Sequence, residues 1–587
     1  MAATDLGGKG LTTTITCYGG VNEIGGNKIL LEDGERRLFF DFGKAFGRHS
    51  DYFDGVFIKN RTGRGLLDPI SLGLIPPLRG LLRDDLVPVL DPDQLATKET
   101  PPSGKQKKPR IEVSATQEVV DAFWDRWRTE FRGSYRDLRR AHAAAVDLIL
   151  LSHAHQDHIS DLEFVSSTIA AASTRTTAFI SKVLLDTSQE SSGAAYVSER
   201  RLTKGGLLES AQDSPYIGRP WHFLDGDIAG APSADPLDSA AAFWAAAPTT
   251  KKRLVPADPF AADPKLRLKY WPVDHSLFGA VGLAVETEAG WVAYSGDLRF
   301  HGALGEQTWK FAERLAELRP VALLCEGTRL KEPNQTHETD VLANCLQSVR
   351  GAEGKLVVAD FSPRNVERLQ TFVQIAGETD RMLLVQPRDA YLLRALHLAD
   401  AAMDNLMERQ EIGLYDDPKL IPSNWEKLVR ERYRSRTFGP LQVRADRGAF
   451  ILAFSLTDTP DLLDLAFLTG GEGGGAYIFS NSQAYDDEAA VDLVRLWNWT
   501  QNLGLELVGL RPEVGGESGR VTRMKVVPGY HASGHAGADE LAEFVRRVRP
   551  ARLIPIHTDL PGRWAELLEG TEIEITLPEY GAPIRLA

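Results

Sequence analysis

Residues able to bind a metal are concentrated in one hexapeptide, HAHQDH at positions 153–158. It supplies three imidazoles, His153, His155 and His158, and one carboxylate, Asp157. This set of nitrogen and oxygen ligands suits zinc or manganese better than a metal that prefers thiolates. The alternative is a polar turn that is rich in histidine by chance, but burying four such groups without a metal would leave each one to be satisfied separately. The hexapeptide therefore predicts a metal site.

The flanking sequence indicates which elements position the hexapeptide. The apolar run 146–151 is typical of a buried strand, and the apolar residues of 159–165 suit a helix. We therefore expect the hexapeptide on a strand-to-helix turn at the edge of a sheet. Alternation along an extended chain places His153 and His155 on one side, whereas Asp157 and His158 continue into the loop.

Length and composition limit the class of protein. A chain of 587 residues exceeds what one hydrophobic core usually serves, so two or more domains are expected. No apolar run approaches the roughly 18 residues of a membrane helix, and the N-terminus lacks the layout of a signal peptide. The three cysteines, Cys17, Cys325 and Cys345, are widely spaced. This predicts buried thiols in a reducing cytoplasm and a cytoplasmic protein without membrane attachment.

The overall charge bears on the kind of partner. With 67 basic and 81 acidic residues, the chain carries a net charge of −14. This argues against a protein that coats polyanions nonspecifically. It does not argue against a nuclease, because a local basic groove or the metals themselves can hold phosphates.

Other ligand-type side chains recur where predicted strands end. Asp41 ends the third of three strands predicted within 12–43, and His275, Asp297 and Glu326 each end a later one. Seven of the thirteen histidines lie at predicted strand ends or just beyond them: His153, His155, His158, His275, His531, His535 and His557. Alone, His275 would more often be a structural histidine. Together with the hexapeptide, His275, Asp297 and His557 supply what a dinuclear site requires, which is about three ligands per metal and a bridging carboxylate. Asp41 is then expected as an acceptor that orients an imidazole.

A separate α/β unit interrupts this series of ligand-type residues. Strand and helix alternate four times between 355 and 502, which is typical of a parallel sheet covered by helices. Two irregular segments, at about 48–112 and 188–262, look like insertions. The chain must therefore bring residues from before and after the α/β unit to one site.

The motifs resemble those of the metallo-β-lactamase superfamily and, within it, the β-CASP nucleases, most closely bacterial ribonuclease J. The segments GGVNEIGGNKILLE and FFDFG look like the family's start, and FSPRNVERLQ looks like its segment after the inserted domain's first strand. The motifs that carry the resemblance are FFDFG with Asp41, HAHQDH as HxHxDH, DHS with His275, SGDLRF with Asp297, CEGTR with Glu326, HASGHA with His535 and IPIH with His557. HxHxDH alone marks the whole superfamily, whereas the late pair His535 and His557 distinguishes the β-CASP nucleases.

Three features depart from the pattern of ribonuclease J. The acidic motif is Glu-Gly-Thr-Arg instead of the Asp-Ser-Thr-Asn type, and SNSQAYDDE replaces a Pro-Gly-Asn segment near a late strand. The chain ends about thirty residues after His557, so the C-terminal domain of ribonuclease J is expected to be missing. A homo-oligomer therefore has no support from the resemblance.

The resemblance implies an α/β protein, a metallo-β-lactamase αββα sandwich with an inserted β-CASP domain. The expected boundaries are 1–317 for the first part of the sandwich domain, 318–516 for the inserted domain and 517–587 for the second part of the sandwich domain. Two Zn²⁺ ions, or Mn²⁺ in their place, are the implied cofactors. The implied partner is single-stranded RNA, with DNA as an alternative, and no membrane.

Residue roles are carried over from the family position by position. One zinc is implied at His153, His155 and His275, and the other at Asp157, His158 and His557. Asp297 is implied as the bridge, and Asp157 and Asp297 are also counted as catalytic. His535, paired with Glu326, is implied as a proton donor or phosphate contact opposite the metals.

The implied reaction is hydrolysis of phosphodiester bonds by a two-metal hydroxide mechanism, as in 5′-to-3′ exonucleases, with endonuclease activity open. A pocket for the terminal phosphate is expected at His531, Ser533 and Ser362, close to the N-terminus of the helix that begins near Ala538. The alternative for Ser533 is that it only caps this helix. The alternative functions are a DNA-directed β-CASP nuclease and a small-molecule hydrolase of the glyoxalase or lactonase type.

Overall fold

The computed structural model describes residues 13–54, 57–100, 110–127, 145–188, 193–211, 214–249, 251–260, 263–331, 333, 336–362, 364–468, 474–481, 487–515 and 520–586. The strands in chain order, β1 to β14, are Thr13–Cys17, Ile29–Asp33, Arg36–Phe40, Leu95–Thr100, Arg110–Ala115, Leu148–Leu150, Ala171–Ser173, Tyr196–Ser198, Arg200–Leu202, Leu208–Ser210, Tyr216–Gly218, Trp221–Phe223, Leu254–Val255 and Leu268–Pro272. Strands β15 to β29 are Val281–Thr287, Gly290–Tyr294, Ala322–Cys325, Leu356–Asp360, Met382–Val385, Ile412–Tyr415, Thr437–Phe438, Phe450–Ala453, Gly475–Phe479, Glu506–Val508, Leu510–Gly515, Arg520–Val526, Arg552–Pro555, Glu574–Ile575 and Pro583–Leu586.

The α-helices of the described residues are numbered α1 to α16. They are Phe46–Ser50, Leu67–Ser71, Gln117–Asp125, Gln156–Ile159, Arg175–Thr187, Ala240–Ala245, Gly305–Leu318, Glu338–Gly351, Val366–Glu378, Pro387–Ala399, Asn424–Arg432, Pro440–Ala445, Leu462–Leu468, Asp487–Asn502, Ala538–Val548 and Arg563–Leu567. None of the helices in the described part of the chain is long and apolar enough to cross a bilayer.

Two mixed sheets pack face to face and form the part of the molecule that carries the hexapeptide. The first has the order β12-β7-β6-β3-β2-β1-β29, and the second has the order β14-β15-β16-β17-β27-β28. Apolar side chains from both sheets, such as Phe40, Leu150 and Leu283, form one buried cluster between them. Helices α7 and α15 cover the outer face of the second sheet through a second cluster that includes Phe311 and Phe544.

A third sheet is parallel throughout and lies in the middle of the sequence. Its order is β21-β20-β19-β22-β18-β23-β24. Strands such as LVVAD at Leu356–Asp360 and GAYIF at Gly475–Phe479 are buried along their length, which suits a sheet that helices cover on both faces. The predicted alternation of strand and helix is therefore present, with β20, β21 and β24 added to the four strands that were predicted. The domain boundaries at 317 and 516 stay a prediction.

Three local expectations differ from the structure. Asp157 and His158 lie in the short helix Gln156–Ile159, and a 3₁₀ turn, Ser160–Phe164, occupies most of the segment that was expected to be helical. The segment 188–262 is not wholly irregular, because Trp221–Phe223 pairs in parallel with Ala171–Ser173 and extends the first sheet. The segment 48–112 likewise contains a strand, Leu95–Thr100, that pairs with Arg110–Ala115. Part of the helix expected over 116–145 lies outside the described residues.

Candidate metal centre

The predicted ligands gather in three adjoining groups. The groups are His153, His155, His275 and Asp297; Asp157, His158 and His557; and Asp297, Glu326 and His535. Within each group, the potential ligand atoms all lie within 4.8 Å of one another. Asp297 is shared between the first and the third group, and its Oδ2 atom lies 3.3 Å from His158 Nε2 of the second. The structure thus brings all seven predicted metal ligands together with the predicted pair Glu326 and His535.

Parallel strands explain why these residues meet. In the first sheet β3 and β6 are parallel, and their carboxyl ends lead to Asp41 and His153. In the second sheet β16, β17 and β27 are parallel, and their carboxyl ends lead to Asp297, Glu326 and His557. Because the carboxyl ends of parallel strands meet at the same sheet edge, side chains that are distant in sequence converge there.

Hydrogen bonds on the side away from the centre fix two imidazoles of the hexapeptide. His158 Nδ1 lies 2.7 Å from Asp41 Oδ2, and since a carboxylate accepts, Nδ1–H is the donor. Ser152 Oγ donates to the same carboxylate at 2.7 Å, so its oxygen is left to accept from His153 Nδ1 at 3.0 Å. The Tyr294 hydroxyl also donates to Asp41, at 2.6 Å. Asp41 thus accepts hydrogen bonds from His158, Ser152 and Tyr294, and the Nε2 atoms of both imidazoles are left on the side of the centre.

The two imidazoles contributed by later strands are held in the same way. His275 Nδ1 donates to the carbonyl oxygen of Gly534 at 2.6 Å. The Thr328 hydroxyl donates to Glu326 Oε2 at 2.6 Å and accepts from His557 Nδ1 at 2.9 Å. In each case Nε2 is the nitrogen that remains for a metal. A histidine whose other ring N–H is held by an acceptor is the usual arrangement of a metal ligand.

Asp297 provides a direct test of whether a cation fits here. Its side chain is buried, and neither of its carboxylate oxygens has a hydrogen-bond partner in the described part of the chain. Its Oδ2 atom lies 3.5 Å from His153 Nε2 and 3.7 Å from His275 Nε2. A buried carboxylate without hydrogen bonds is costly unless it is neutralised, and a cation among these nitrogen atoms would neutralise it. The donor set, nitrogen-rich with carboxylate oxygen, suits zinc.

The protonation states of the first group agree with this assignment. Burial above all lowers the pKa of His153 and His275 well below the ordinary value and lowers that of His155 to about 3, so these imidazoles are neutral. Burial would raise the pKa of Asp297, but the imidazoles around it, His158 first, hold it well below its ordinary value. Neutral imidazoles and an ionised carboxylate are the forms that bind a metal.

In the second group, protonated histidines offset the negative charge of the nearby carboxylates. Burial lowers the pKa of His158, but the carboxylates of Asp297 and Asp157 outweigh it and raise the pKa well above its ordinary value. The pKa of His557 is raised for the same reason, with Asp297 as the main charge that opposes burial. A cation bound among these carboxylates would supply the positive charge in place of the protons.

Close backbone approach shapes the pocket around Asp157. A Cβ atom on Gly43 would lie 1.8 Å from the carbonyl oxygen of Asp157, and one on Gly25, where φ is +80°, would lie 2.8 Å from Asp157 Cβ. Only glycine fits such positions. The glycines of NEIGG and FFDFG therefore bring the N-terminal strands against the hexapeptide.

The pair His535 and Glu326 adjoins the metal ligands. His535 Nδ1 lies 3.2 Å from Glu326 Oε2 and 3.8 Å from Asp297 Oδ2. Glu326 is wholly buried and also accepts from the backbone N–H of Leu298 at 2.5 Å, whereas 16% of the His535 side chain is exposed. Burial lowers the pKa of His535, but the Glu326 carboxylate and then Asp297 outweigh it and raise the pKa to about 9.

The residues predicted to bind a terminal phosphate fall in two places. His531 and Ser533 lie in the turn before α15, and Ser362 lies beyond β18 of the parallel sheet. No hydrogen bond joins Ser362 to the other two among the described residues. Ser533 does not cap α15, because its Oγ accepts from the backbone N–H of His535 at 3.1 Å and the N-cap residue is Gly537. Burial lowers the pKa of His531 to about 3, and its Nδ1 atom is buried without a hydrogen-bond partner in the described chain.

Sequence reasoning did not single out several residues that hold the ligands. Ser152 and Thr328 each connect a carboxylate to an imidazole, and Tyr294 binds Asp41. His301 holds the turn before α15, since its Nε2 lies 3.0 Å from the carbonyl oxygen of Ser533. Ser152 directly precedes the hexapeptide, and Thr328 lies in the segment CEGTR two residues after Glu326. Their position next to predicted site residues is the feature of the sequence that could have indicated their role.

Comparison with known proteins adds independent evidence. The family model RMMBL, described as a Zn-dependent metallo-hydrolase RNA specificity domain, matches residues 522–578. Ribonuclease J of Mycoplasma pneumoniae is 23% identical over 298 residues, 50% of this chain and 45% of the relative. Ribonuclease J of Mycobacterium tuberculosis is 24% identical over 338 residues, 54% of this chain and 52% of the relative. The chain thus spans about half the length of the curated relatives that it matches.

A solved structure shares the fold. It is the crystal structure of a protein of unknown function from Enterococcus faecalis V583, which aligns with a TM-score of 0.60 and 18% identity over 98% of this chain and all of that one. The mixed sheets, the parallel sheet and the RMMBL match are consistent with the metallo-β-lactamase/β-CASP fold, which confirms the predicted fold class. Within that class the chain is similar to ribonuclease J, and the predicted resemblance is confirmed. The matches support a metal-dependent hydrolase of the nuclease type.

Proposed function

We propose that the protein is a ribonuclease that hydrolyses phosphodiester bonds of single-stranded RNA with two zinc ions and proceeds in the 5′-to-3′ direction. One observation carries the proposal: His535, held by Glu326, adjoins the carboxylate that the metal ligands share. A small-molecule hydrolase of the glyoxalase or lactonase type needs neither this pair nor the parallel sheet. The RMMBL match supports RNA as the substrate.

The ligand groups divide between two cations. His153, His155 and His275 would hold one, and Asp157, His158 and His557 would hold the other, with Asp297 between them. When bound, the cations supply a nucleophilic water at neutral pH and neutralise charge on the phosphate.

His535 is the group that would serve the departing oxygen. Its Nδ1–H is held by Glu326, which orients the ring and stabilises its protonated form. The other ring nitrogen, Nε2, is not used by this bond and can donate a proton to the leaving oxygen. Glu326 is itself fixed by Leu298 N–H and by the Thr328 hydroxyl, so the acid is held rigidly beside the ligands.

Direction of cleavage depends on the proposed terminal-phosphate pocket of His531, Ser533 and Ser362. The amides at the start of α15 favour a doubly charged terminal phosphate, and a chain end held beside the metals presents its first linkages for cutting. Rates on 5′-monophosphate, 5′-hydroxyl and 5′-triphosphate RNA should favour the monophosphate. Ser533→Ala also removes the acceptor for the backbone N–H of His535, so we expect cleavage of all three RNAs to slow. Only a change in the ratio of the rates on the different 5′ ends therefore tests the phosphate pocket. Equal rates on all three ends, with internal fragments first, would indicate an endonuclease.

The function is tested with the purified full chain and Zn²⁺ or Mn²⁺ on 5′-labelled RNA and DNA of equal sequence, with a lactone and a thioester as further substrates. Cleavage of RNA well ahead of DNA is the expected result. Comparable cleavage of DNA would make the protein a nuclease without preference for RNA. Turnover of the lactone or thioester with intact nucleic acids would show the small-molecule alternative.

A further inference from the structure

Arg364 directly precedes the N-cap residue of α9. It lies between β18 and α9 in the sequence, and the backbone N–H of Asn365 donates to the carbonyl oxygen of Ser362 at 2.8 Å. Asn365 is the N-cap of α9, where its side chain accepts from the backbone N–H of Arg368 at 3.1 Å. The position of Arg364 relative to α9 is therefore set by the fold.

The first residues of α9 are hydrogen-bonded and ion-paired to the loop that follows Asp297. Glu367 accepts from the backbone N–H of Ala303 at 2.7 Å and pairs with Arg299. Arg299 is also bound to Asp274 at 2.7 Å, directly before the predicted ligand His275. These buried contacts connect the turn that carries Arg364 to the loops that carry the metal ligands.

Arg364 differs from the other arginines of this region because its guanidinium has no partner among the described residues. In contrast, the guanidinium groups of its neighbours are paired: Arg299 with Asp274, Arg368 with Glu338 at 2.9 Å, and Arg388 with Asp458 at 2.7 Å. Arg364 is half-buried, and its side chain makes no hydrogen bond or ion pair with any residue that the structure describes. A partly desolvated guanidinium without a partner is costly, and an anionic ligand would remove that cost.

One predicted metal ligand is among the charges that act on the Arg364 guanidinium. Burial foremost lowers the pKa of Arg364, the Asp157 carboxylate opposes this, and Arg388 lowers it further. The Asp157 carboxylate thus acts on the Arg364 guanidinium, whose five N–H donors have no partner among the described residues.

We propose that Arg364 binds a non-bridging oxygen of a substrate phosphate next to the metal centre and so selects phosphodiesters over neutral esters. The planar guanidinium matches the paired oxygens of a phosphate, whereas a lactone or thioester offers no such anion. The inference rests on the proposed function for the identity of that phosphate as part of an RNA strand.

The test compares Arg364→Gln and Arg364→Lys in the metal-loaded full chain. The control is Arg314→Gln, which removes one positive charge from an exposed arginine paired with Glu317 on α7. Binding of a labelled 2′-O-methyl RNA is followed by fluorescence anisotropy, and kcat/KM is measured on unmodified RNA. Arg364→Gln should lose roughly 10- to 100-fold in both, the range of a charge-assisted hydrogen bond, with a smaller loss in Arg364→Lys and none in the control.

A second measurement identifies the contact itself. Replacing one phosphate at a time by a neutral methylphosphonate should weaken binding to the wild type at one linkage near the scissile bond. The same replacement should cost nothing further in Arg364→Gln. Wild-type affinity in Arg364→Gln, or an unchanged methylphosphonate penalty, would overturn the proposal. If the wild type binds RNA but does not cleave it, the proposed function fails, and the binding data still decide the role of Arg364.

Discussion

Thr328 offers a sharp test of how the metal ligands are held. Its hydroxyl donates to Glu326 at 2.6 Å and accepts from His557 Nδ1 at 2.9 Å. Thr328→Val keeps the shape and removes the hydroxyl, which leaves the N–H of the fully buried His557 without an acceptor. An unsatisfied buried donor costs about 1–3 kcal/mol. Losing such a supporting contact typically lowers metal affinity about 10- to 100-fold, or about 1.4–2.7 kcal/mol.

The assay is a competition between the purified chain and a chromogenic chelator, with Thr328→Ser as the control that keeps the hydroxyl. We expect the proposed zinc site that contains His557 to lose affinity in Thr328→Val and to stay near wild type in Thr328→Ser. Thermal unfolding of the metal-free proteins shows whether the substitution acts on the fold instead. Wild-type zinc affinity in Thr328→Val, or an equal loss in both variants, would refute the reasoning.

Three further predictions follow from the site and the fold. Asp157→Asn and His155→Ala should each lower bound metal and abolish RNA cleavage while the fold persists, whereas full metal content and activity would end the dinuclear hypothesis. His535→Ala should keep its metals and lose roughly 100-fold or more in cleavage rate, the scale of a lost general acid; a normal rate would exclude that role. Burial raises the pKa of Asp360 to about 7, above the value near 4 of an unfolded chain, so this carboxyl destabilises the folded state increasingly as pH rises from about 4 to 7. Asp360→Asn should therefore raise the Tm at pH 8 by a few degrees and reduce the fall in Tm between pH 5 and 8, and an unchanged pH profile would contradict this.

The approximate positions of Asp41, Asp297 and Glu326 could be predicted because the end of a short apolar run indicates the end of a buried strand. Asp41, Asp297 and Glu326 each follow a short apolar run, and the structure places all three at carboxyl ends of strands in the two facing sheets. The same logic did not find β12, because three residues, Trp221–Phe223, are too few to show a period.

The contacts that orient the ligands could not be predicted in this way. The role of Thr328 depends on a nitrogen of His557, 229 residues away, and on which ring nitrogen carries the proton. Arg364 stands out only because the guanidinium groups of its neighbours are paired among the described residues and its own is not, which is a property of three-dimensional packing. The ligand roles, the domain boundaries and the cytoplasmic location stay predictions.

The most direct test of the central claim is the initial rate of RNA cleavage by the metal-free full chain as zinc is added back in known equivalents. The ligand groups around Asp297 predict that activity appears as the second equivalent binds and reaches a plateau at two per chain. His535→Ala should bind both equivalents and remain nearly inactive. Full activity at one equivalent or with chelator present, or intact RNA at two equivalents, would contradict the two-metal ribonuclease proposed for this protein.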